Sequence, residues 1–350
     1  MGAPLSRRFP TGKVPVEWLK RAVFNRLGIP SSRVLRGPGV GEDAAILEMG
    51  DRVLAVAADP ITGAVEDIGR LMVHINANDI ASCGVRPRWL LCIIMLPEGS
   101  GSGLLEGIME DIHSACCEVG VSLIGGHTET VPGLDRPILS GFMMGEAEKG
   151  GYVTSSGASP GDVLIMTKSA GIEGTAVLAK DLSWVLKGLV GEDILRRAEG
   201  MLNLISVVPE AMRAMEAGGV HSLHDPTEGG ILNGVWEMAE ASGIGVEIWE
   251  ASIPVASETR AICEALSIDP LKLLGSGALL ISAEPSRAGG IISAVGDAGV
   301  KATVIGRAKE KDEGRILVRE SGERTRIEAV EQDHLYIVLD RYGMGASSKP

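Results

Sequence analysis

Hydrophobic residues recur every three or four positions between Glu66 and Pro87, and this period predicts one amphipathic helix. We expect the helix to end at Gly84, with Pro87 just beyond it. Polar side chains interrupt the apolar run, and Asn76 and Asp79 share one side of the helix because they are three residues apart. The pattern leaves two interpretations open: a polar edge that faces water, or side chains that converge on a ligand.

Apolar runs elsewhere in the chain predict a series of strands around this helix. In the first half, strands are expected at 44–47, 52–58, 88–96, 121–124 and 139–146, with a second helix over 104–119. A stretch rich in Gly, Ser and Pro at 150–161 indicates a domain boundary, and strands and helices recur beyond it. These elements predict an α/β (α+β) fold of two domains.

The composition sets the size and class of the protein. Its 350 residues correspond to about two domains of roughly 150 residues each. Hydrophobic residues make up 45% and aromatic residues only 3%, so the core is expected to be aliphatic. The net charge of -13 argues against a nucleic acid as main partner, because such partners require a basic surface. Acidic residues suit an anionic ligand that is held through a divalent metal.

The cysteines and the apolar runs indicate the compartment. The five cysteines form no C-x-x-C pair and are odd in number, which disfavours a disulfide framework and a zinc site. The N-terminus has no apolar core of signal-peptide length, and no apolar run reaches the length of a membrane span. We therefore expect a soluble, cytoplasmic protein without a membrane partner.

Four aspartates occupy positions that suit a metal site. Asp43, Asp59 and Asp225 lie within a residue or two of an apolar strand, whereas Asp79 lies inside the predicted helix. Each has an ordinary explanation when taken singly; the Asp-Pro pair at 59–60, for example, is typical of a turn. Taken together, carboxylates at strand ends and on a helix around one crevice predict a hard-cation site. A nucleoside triphosphate is the usual partner of Mg²⁺ in such a site.

Several short motifs follow one another along the chain. They are G-E-D-A-A at 41–45, A-D at 58–59, D-I-G-R-L…N-A-N-D-I-A-S-C-G-V-R-P at 67–87, G-G-H-T at 125–128, P-G-D at 160–162 and H-D-P-T-E-G-G at 224–230. In this order and spacing they resemble the ATP-binding superfamily of aminoimidazole ribonucleotide (AIR) synthase, the PurM-like proteins. The resemblance covers roughly residues 34–310 and is nearest to the hydrogenase maturation protein HypE and to AIR-synthase-related proteins.

The resemblance implies a two-domain fold in which the N-terminal domains of two subunits pair their sheets into a β-barrel, beside a site for ATP and Mg²⁺. With the boundary given above, the domains are 1–152 and 153–342, and residues 343–350 are expected to be a disordered tail. Carried over motif by motif, the resemblance assigns metal and phosphates to Asp43, Asp59, Asp79 and Asp225. It assigns the lining of the nucleotide site to the same N-terminal aspartates and to Asn76, Gly125, Gly126, His127 and Thr128.

The function that the resemblance implies is phosphoryl transfer from ATP to a small-molecule or acyl oxygen. Such chemistry depends on positioning and charge neutralisation more than on a protein nucleophile. Two features depart from HypE: the chain ends Ser-Ser-Lys-Pro350 without a cysteine, and Gly275-Ser-Gly-Ala278 replaces an Asn-Glu-Gly-Lys segment. The alternative is a non-catalytic role, in which a nucleotide-binding homodimer docks onto a maturation partner protein.

Overall fold

The computed structural model describes residues 9, 11–62 and 67–343, which form two β-sheets with helices packed on them. The strands of the first sheet are β1 (Val34–Arg36), β2 (Ala45–Met49), β3 (Arg52–Ile61), β4 (Pro87–Pro97), β5 (Ser122–Val131) and β6 (Ile138–Glu148). Their order is β1-β2-β3-β6-β4-β5. Neighbouring strands are antiparallel, except that β4 and β5 run parallel.

The second sheet belongs to the second half of the chain. Its strands are β7 (Val163–Thr167), β8 (Val220–His224), β9 (Gly245–Trp249), β10 (Leu280–Ala283), β11 (Ala302–Lys309), β12 (Arg315–Val318) and β13 (Arg324–Arg326). They are arranged in the order β13-β12-β9-β11-β7-β10-β8. The mixed α/β class and the presence of two units, each built on its own sheet, agree with the prediction from the pattern of apolar runs.

Helices cover both sheets. They are α1 (Val16–Trp18), α2 (Ile68–Ala81), α3 (Ser102–Val119), α4 (Ile172–Asp181), α5 (Ser183–Leu186), α6 (Glu192–Glu199), α7 (Val208–Ala217), α8 (Gly230–Ser242), α9 (Ser257–Leu266), α10 (Ala288–Asp297) and α11 (His334–Arg341). One aliphatic core runs between the first sheet, α2 and α3 and continues to α7, α10 and part of the second sheet. The two halves therefore share buried surface.

The predicted central helix is present as α2, but it is buried on every side. It packs against β3 and β6, against α3 and against α7, and 13 of its 14 residues are buried. The prediction of an amphipathic helix was wrong, because hydrophobic periodicity cannot reveal a helix that both halves of the chain enclose. Glu66, at the start of the predicted stretch, lies outside the described residues. Polar side chains on α2 are therefore buried and need internal partners.

Asn78 attaches α2 to the second half of the chain. Its Nδ2 donates to the carbonyl oxygen of Ile205 at 2.9 Å, and its Oδ1 accepts from the backbone N–H of Val207 at 2.9 Å. Each such bond contributes about 0.5–1.5 kcal/mol, and a partner left unpaired in the interior costs about 1–3 kcal/mol. The bonds therefore hold the loop before α7 against α2 and keep the two halves in one arrangement.

Other local predictions differ in extent from the structure. The strand expected to end before Gly125 continues through the glycines as β5, because pairing with β4 supplies backbone partners along its length. Near the start of the described chain, the short α1 is followed by a π-helical turn, Leu19–Val23. The tail at 344–350 lies outside the described residues. Within the described ranges, no helix combines the length and the apolar character that crossing a membrane requires.

The close crossing of α2 and α3 depends on Gly69. A Cβ atom at this position would lie 2.6 Å from the carbonyl oxygen of Ile108 and 2.8 Å from Cβ of Asp111. We expect Gly69→Ala to separate the helices and to lower the free energy of unfolding by about 1–3 kcal/mol, as measured by urea denaturation. Gly107→Ala on α3 is the control, since a Cβ there meets nothing within 4 Å. Equal stability of the two variants would contradict the tight crossing.

Candidate functional site

Four aspartates from distant parts of the sequence lie close enough to influence one another. Asp59 stands near the end of β3, Asp43 precedes β2, Asp79 lies in α2 and Asp225 directly follows β8. Burial raises the pKa of Asp79 well above its ordinary value, and the carboxylates of Asp59, Asp225 and Asp43 raise it further. The structure thus brings together the four candidate metal ligands, which we call the aspartate cluster.

Asn76 holds the backbone of Asp59 in place. Its Oδ1 accepts from the N–H of Asp59 at 2.8 Å, and its Nδ2 donates to the carbonyl oxygens of Asp59 at 3.1 Å and Met72 at 2.8 Å. The side chain is fully buried, and these bonds use both amide hydrogens. Asn76 is therefore placed to position Asp59, and its predicted contact with a nucleotide stays a prediction.

A buried histidine joins the cluster to α8. The Nδ1 of His224 lies 2.8 Å from Oδ1 of Asp43, and its Nε2 lies 3.0 Å from Oε2 of Glu237. Burial lowers the pKa of His224, but the two carboxylates outweigh it and hold the pKa well above the usual value. The ring is therefore an imidazolium at neutral pH, and each N–H donates to one carboxylate.

The loop before β2 reaches α8 because Gly41 allows a close approach. Gly41 has a φ of +72°, and a Cβ atom there would lie 2.8 Å from the carbonyl oxygen of Glu237. On the other side of the loop, Ser155 donates a hydrogen bond to Oδ2 of Asp43 at 3.0 Å. The conformation of this loop therefore orients Asp43 between α8 and the segment that joins the two halves.

The cluster holds more carboxyl groups than there are cations nearby. Burial raises the pKa of Asp225 well above its ordinary value, and the carboxylate of Asp43 adds to this rise, while His224 and a hydrogen bond from Ser82 oppose it. Ser82 donates to Oδ1 at 2.9 Å, but Oδ2 is buried and has no hydrogen-bond partner. An unpartnered carboxylate oxygen among other carboxylates fits a bound cation.

Lys13 stands at the outer edge of the cluster. Its Nζ donates to Oγ1 of Thr227 at 2.8 Å and lies 3.9 Å from Oε1 of Glu237, and its backbone N–H donates to Oε2 of Glu228 at 2.6 Å. Desolvation lowers the pKa of this half-exposed lysine, but Glu237, Asp59 and other carboxylates outweigh that effect and raise it. The ammonium group is therefore a cation that faces the carboxylates.

Two pockets lie next to the cluster, and Lys13 lines both. The larger is a cleft of about 880 Å³ between residues 13–20, the loop 39–43, α8 and residues 329–331. The smaller is a cavity of about 120 Å³ that includes Asp59, Glu173 and Glu228. Asp43 lines the cleft and Asp59 lines the cavity, so the aspartate cluster lies between the two.

The donor set of the cluster fits Mg²⁺ bound together with phosphate oxygens. Mg²⁺ prefers oxygen ligands and is usually held by one or two carboxylates, with waters and phosphates completing its coordination. Among the described residues, no group of three or more His, Cys, Asp or Glu side chains is arranged to chelate an ion by itself. The protein atoms therefore suit a metal that arrives with an anionic ligand.

The structure places Gly125, Gly126, His127 and Thr128 away from the cluster. They lie on β5 at the edge of the first sheet, where Gly126 is opposite Cys92, Cys92 is opposite Gly141, and Gly141 is opposite Asp59. Three strand spacings separate Gly126 from Asp59, which is about 14 Å. The side chain of His127 is 65% exposed and lies 3.7 Å from Glu129. Their assignment to the nucleotide site stays a prediction.

Three residues of the site were not predicted from the sequence. Lys13 belongs to a lead that had no periodic pattern, Glu237 lies in an apolar helix, and Glu173 follows a glycine turn. A charged residue within an apolar run is a usable signal for Glu237, because burying a charge is costly unless it is paired. Lys13 carried no comparable signal, because its partners are more than 200 residues away in sequence.

Comparison with known proteins places both halves of the chain in one family. The N-terminal domain model of AIR synthase related proteins matches residues 41–147, and the C-terminal domain model matches residues 159–319. A protein of Methanocaldococcus jannaschii named for hydrogenase expression/formation is 29% identical over 321 residues, covering 89% of this chain and 93% of the relative. Carbamoyl dehydratase HypE of Rhizobium leguminosarum bv. viciae is 32% identical, with coverages of 70% and 69%.

Solved structures agree with this placement. A HypE–HypF complex contains a chain with a TM-score of 0.73 and 22% identity, covering 89% of this chain and 99% of its own. Hydrogenase maturation protein HypE in complex with ATP gives a TM-score of 0.70 at 24% identity, with coverages of 93% and 98%. These similarities confirm the predicted two-domain PurM-like fold.

The repulsion within the cluster has a consequence for stability. Asp79→Asn keeps the shape of the side chain but removes its charge. A carboxyl whose pKa is raised by folding contributes stability at low pH and loses it as pH rises through the folded pKa. The variant should therefore gain in free energy of unfolding over the wild type as pH rises above about 4, the ordinary pKa of an aspartate, by about 1.4 kcal/mol for each tenfold rise in proton affinity. The measurement is urea denaturation without metal or nucleotide.

The exposed Asp51, in the turn between β2 and β3, provides the control for this experiment. Asp51→Asn should stay within about 0.5 kcal/mol of the wild type at every pH, as surface substitutions usually do. A stability difference for Asp79→Asn that does not grow with pH would argue that Asp79 is not under repulsion.

Proposed function

This chain belongs to the AIR synthase related protein family, and from that premise we propose that it is an ATP- and Mg²⁺-dependent enzyme. It activates a small-molecule or acyl oxygen by phosphoryl transfer. The observation that carries the proposal is the aspartate cluster, whose carboxyl groups outnumber the nearby cations and which borders a cleft large enough for a nucleotide. The relative named carbamoyl dehydratase HypE and the HypE structure with ATP support it.

The nucleotide occupies the cleft beside Asp43. Its volume of about 880 Å³ falls within the range of roughly 300–1,000 Å³ that is typical of ligand pockets. Lys13, Lys20 and Trp236 line the cleft, so it offers cations for phosphates and an aromatic surface for a base. The triphosphate end lies towards the cluster, because Lys13 and Asp43 border both.

The residues of the cluster have distinct tasks in phosphoryl transfer. Asp43, Asp59, Asp79 and Asp225 would hold Mg²⁺, which supplies charge neutralisation at the phosphoryl oxygens when bound. His224 keeps Asp43 ionised and oriented, and Asn76 fixes the backbone of Asp59. Lys13 is within reach of the same region and donates hydrogen bonds to phosphoryl oxygens as charge develops on them.

A homodimer is the second part of the proposal. Leu91, Leu123, Ile124 and Phe142 expose apolar side chains on β4, β5 and β6. The outer edge of β5 pairs with no other described strand. Exposed apolar side chains next to an open strand edge are a liability in a monomer and are typically covered by another subunit. A second copy of this chain covers both features through sheet pairing, as the family resemblance implies.

A non-catalytic role is the competing proposal, and one observation favours it. A structure similar to this chain comes from a complex of HypE with HypF, so a relative works together with a partner protein. In that role the chain binds nucleotide in the cleft and docks onto a maturation partner, but does not form ADP. Formation of ADP from MgATP by the purified protein separates the two proposals.

MgATP binding can be measured by thermal unfolding. A ligand that binds only the folded state stabilises it by about 2.7 kcal/mol at a hundredfold excess over its Kd, so millimolar MgATP should raise the Tm. Asp79→Asn should lose most of this rise because it removes a metal-binding carboxylate, whereas Asp51→Asn should keep it. An unchanged Tm of the wild type at millimolar MgATP would refute the proposed function.

The dimer can be tested at β5. Ile124, which is 53% exposed, would be buried in the pairing of two sheets. We expect the wild type to have the mass of a dimer in light scattering and Ile124→Glu to have the mass of a monomer, because an unpaired charge would be buried. Ile29→Glu is the control, since Ile29 is 94% exposed in a loop. A wild type of monomeric mass would refute the dimer.

A further inference from the structure

The small cavity beside Asp59 lies on the side of the cluster that the nucleotide leaves free. Its volume is about 120 Å³, enough for a group of a few heavy atoms. Ile61, Ile75, Val177 and Leu274 are among the aliphatic side chains that form part of its wall. The cavity and the cleft both include Lys13, so a molecule in the cavity and a triphosphate in the cleft would meet near the carboxylates.

Glu173 is a buried carboxyl group in the wall of this cavity, and it has no role in the binding of nucleotide and metal described above. It lies in the first turn of α4 and is only 9% exposed. Ser276 hydrogen-bonds its carboxylate, and no salt bridge joins it to a cation among the described residues. Burial raises the pKa of Glu173 to about 7, against the opposing effect of Ser276. A carboxyl with such a pKa exchanges protons readily at neutral pH.

The groups that surround Glu173 come from several elements. Asp333 precedes α11, Glu228 precedes α8, and Asp59 belongs to β3; all three raise the pKa of Glu173 further. Lys13 and Tyr336 line the same cavity, and Tyr336 donates its hydroxyl to Oε1 of Glu228 at 3.2 Å. The lining is therefore acidic on its polar side and aliphatic elsewhere, which disfavours an anionic ligand.

We propose that this cavity is the acceptor site of the phosphoryl transfer and that Glu173 is the catalytic base that takes the proton of the acceptor. The inference rests on the proposed function. The ligand is a small uncharged or cationic molecule, or the end of a larger one, with a protonated oxygen. The acceptor oxygen forms a bond to the γ-phosphorus, the bond from that phosphorus to the bridging oxygen breaks, and ADP leaves. The proton of the acceptor passes to the carboxylate of Glu173.

Hydroxylamine is a suitable probe, because it is small, carries an O–H group and is uncharged at neutral pH. We expect the wild type to form ADP from MgATP faster when hydroxylamine is added, with a rate that rises with pH around a midpoint of about 7. Glu173→Gln should lower this rate at least a hundredfold and remove the midpoint, since general bases contribute about 10²- to 10⁴-fold. Glu173→Asp should restore part of the rate.

The variant Ser276→Ala distinguishes a base at Glu173 from a purely structural role of that residue. Loss of the hydrogen bond to the carboxylate raises the pKa of Glu173, so the midpoint of the rate should move to higher pH. Glu264→Gln, at an exposed position on α9, is the matched control and should leave both rate and midpoint unchanged.

The Tm with and without MgATP separates this inference from the proposed function. Glu173→Gln should keep the rise in Tm that MgATP causes in the wild type, because the base contacts the acceptor and not the nucleotide. Loss of that rise would place Glu173 in the nucleotide site and overturn the inference alone. An unchanged rate and midpoint in Glu173→Gln would also overturn it alone. Absence of a rise in the wild type would overturn the inference together with the proposed function.

Discussion

Repulsion among buried carboxylates is the physical constraint on which this structure depends. Asp79 and Asp225 are buried beside Asp43 and Asp59, at a cost in free energy that folding must offset elsewhere. The surrounding protein offsets part of it through the imidazolium of His224, the ammonium of Lys13 and the hydroxyl of Ser82. The repulsion that is not offset favours binding of a cation. The cluster is therefore a candidate binding site rather than a feature of packing alone.

Helix α2 is the element that makes such a cluster possible. Along about four turns it presents Asn76 to the backbone of Asp59, Asn78 to the loop before α7 and Asp79 to the cluster. Ser82, directly after the helix, donates to Asp225. Each polar side chain has its own task, and the aliphatic residues between them fill the core shared by both halves. A shift of α2 would therefore disturb the aspartate cluster and the contact between the halves together.

The cleft and the cavity next to the cluster differ in size and lining, and these differences suit different ligands. The cleft next to Asp43 has the size and the cations for a nucleotide, whereas the cavity next to Asp59 is small, acidic and partly aliphatic. Lys13 lines both, so its ammonium group lies where the two proposed ligands would meet. Glu173 lines the cavity and not the cleft.

The sequence alone determined the two-domain mixed fold, most of its elements and the aspartates that converge, because these depend on local periodicity and on short motifs with a known order. The position of α2 between two layers, the continuation of β5 through its glycines and the contacts of Lys13 and Glu173 were decided by tertiary structure. Burial and long-range pairing set the surroundings of these residues, and neither produces a periodic pattern in the sequence. Asn76 illustrates the difference: its presence in the apolar run was visible, but its bonds to Asp59 required the fold.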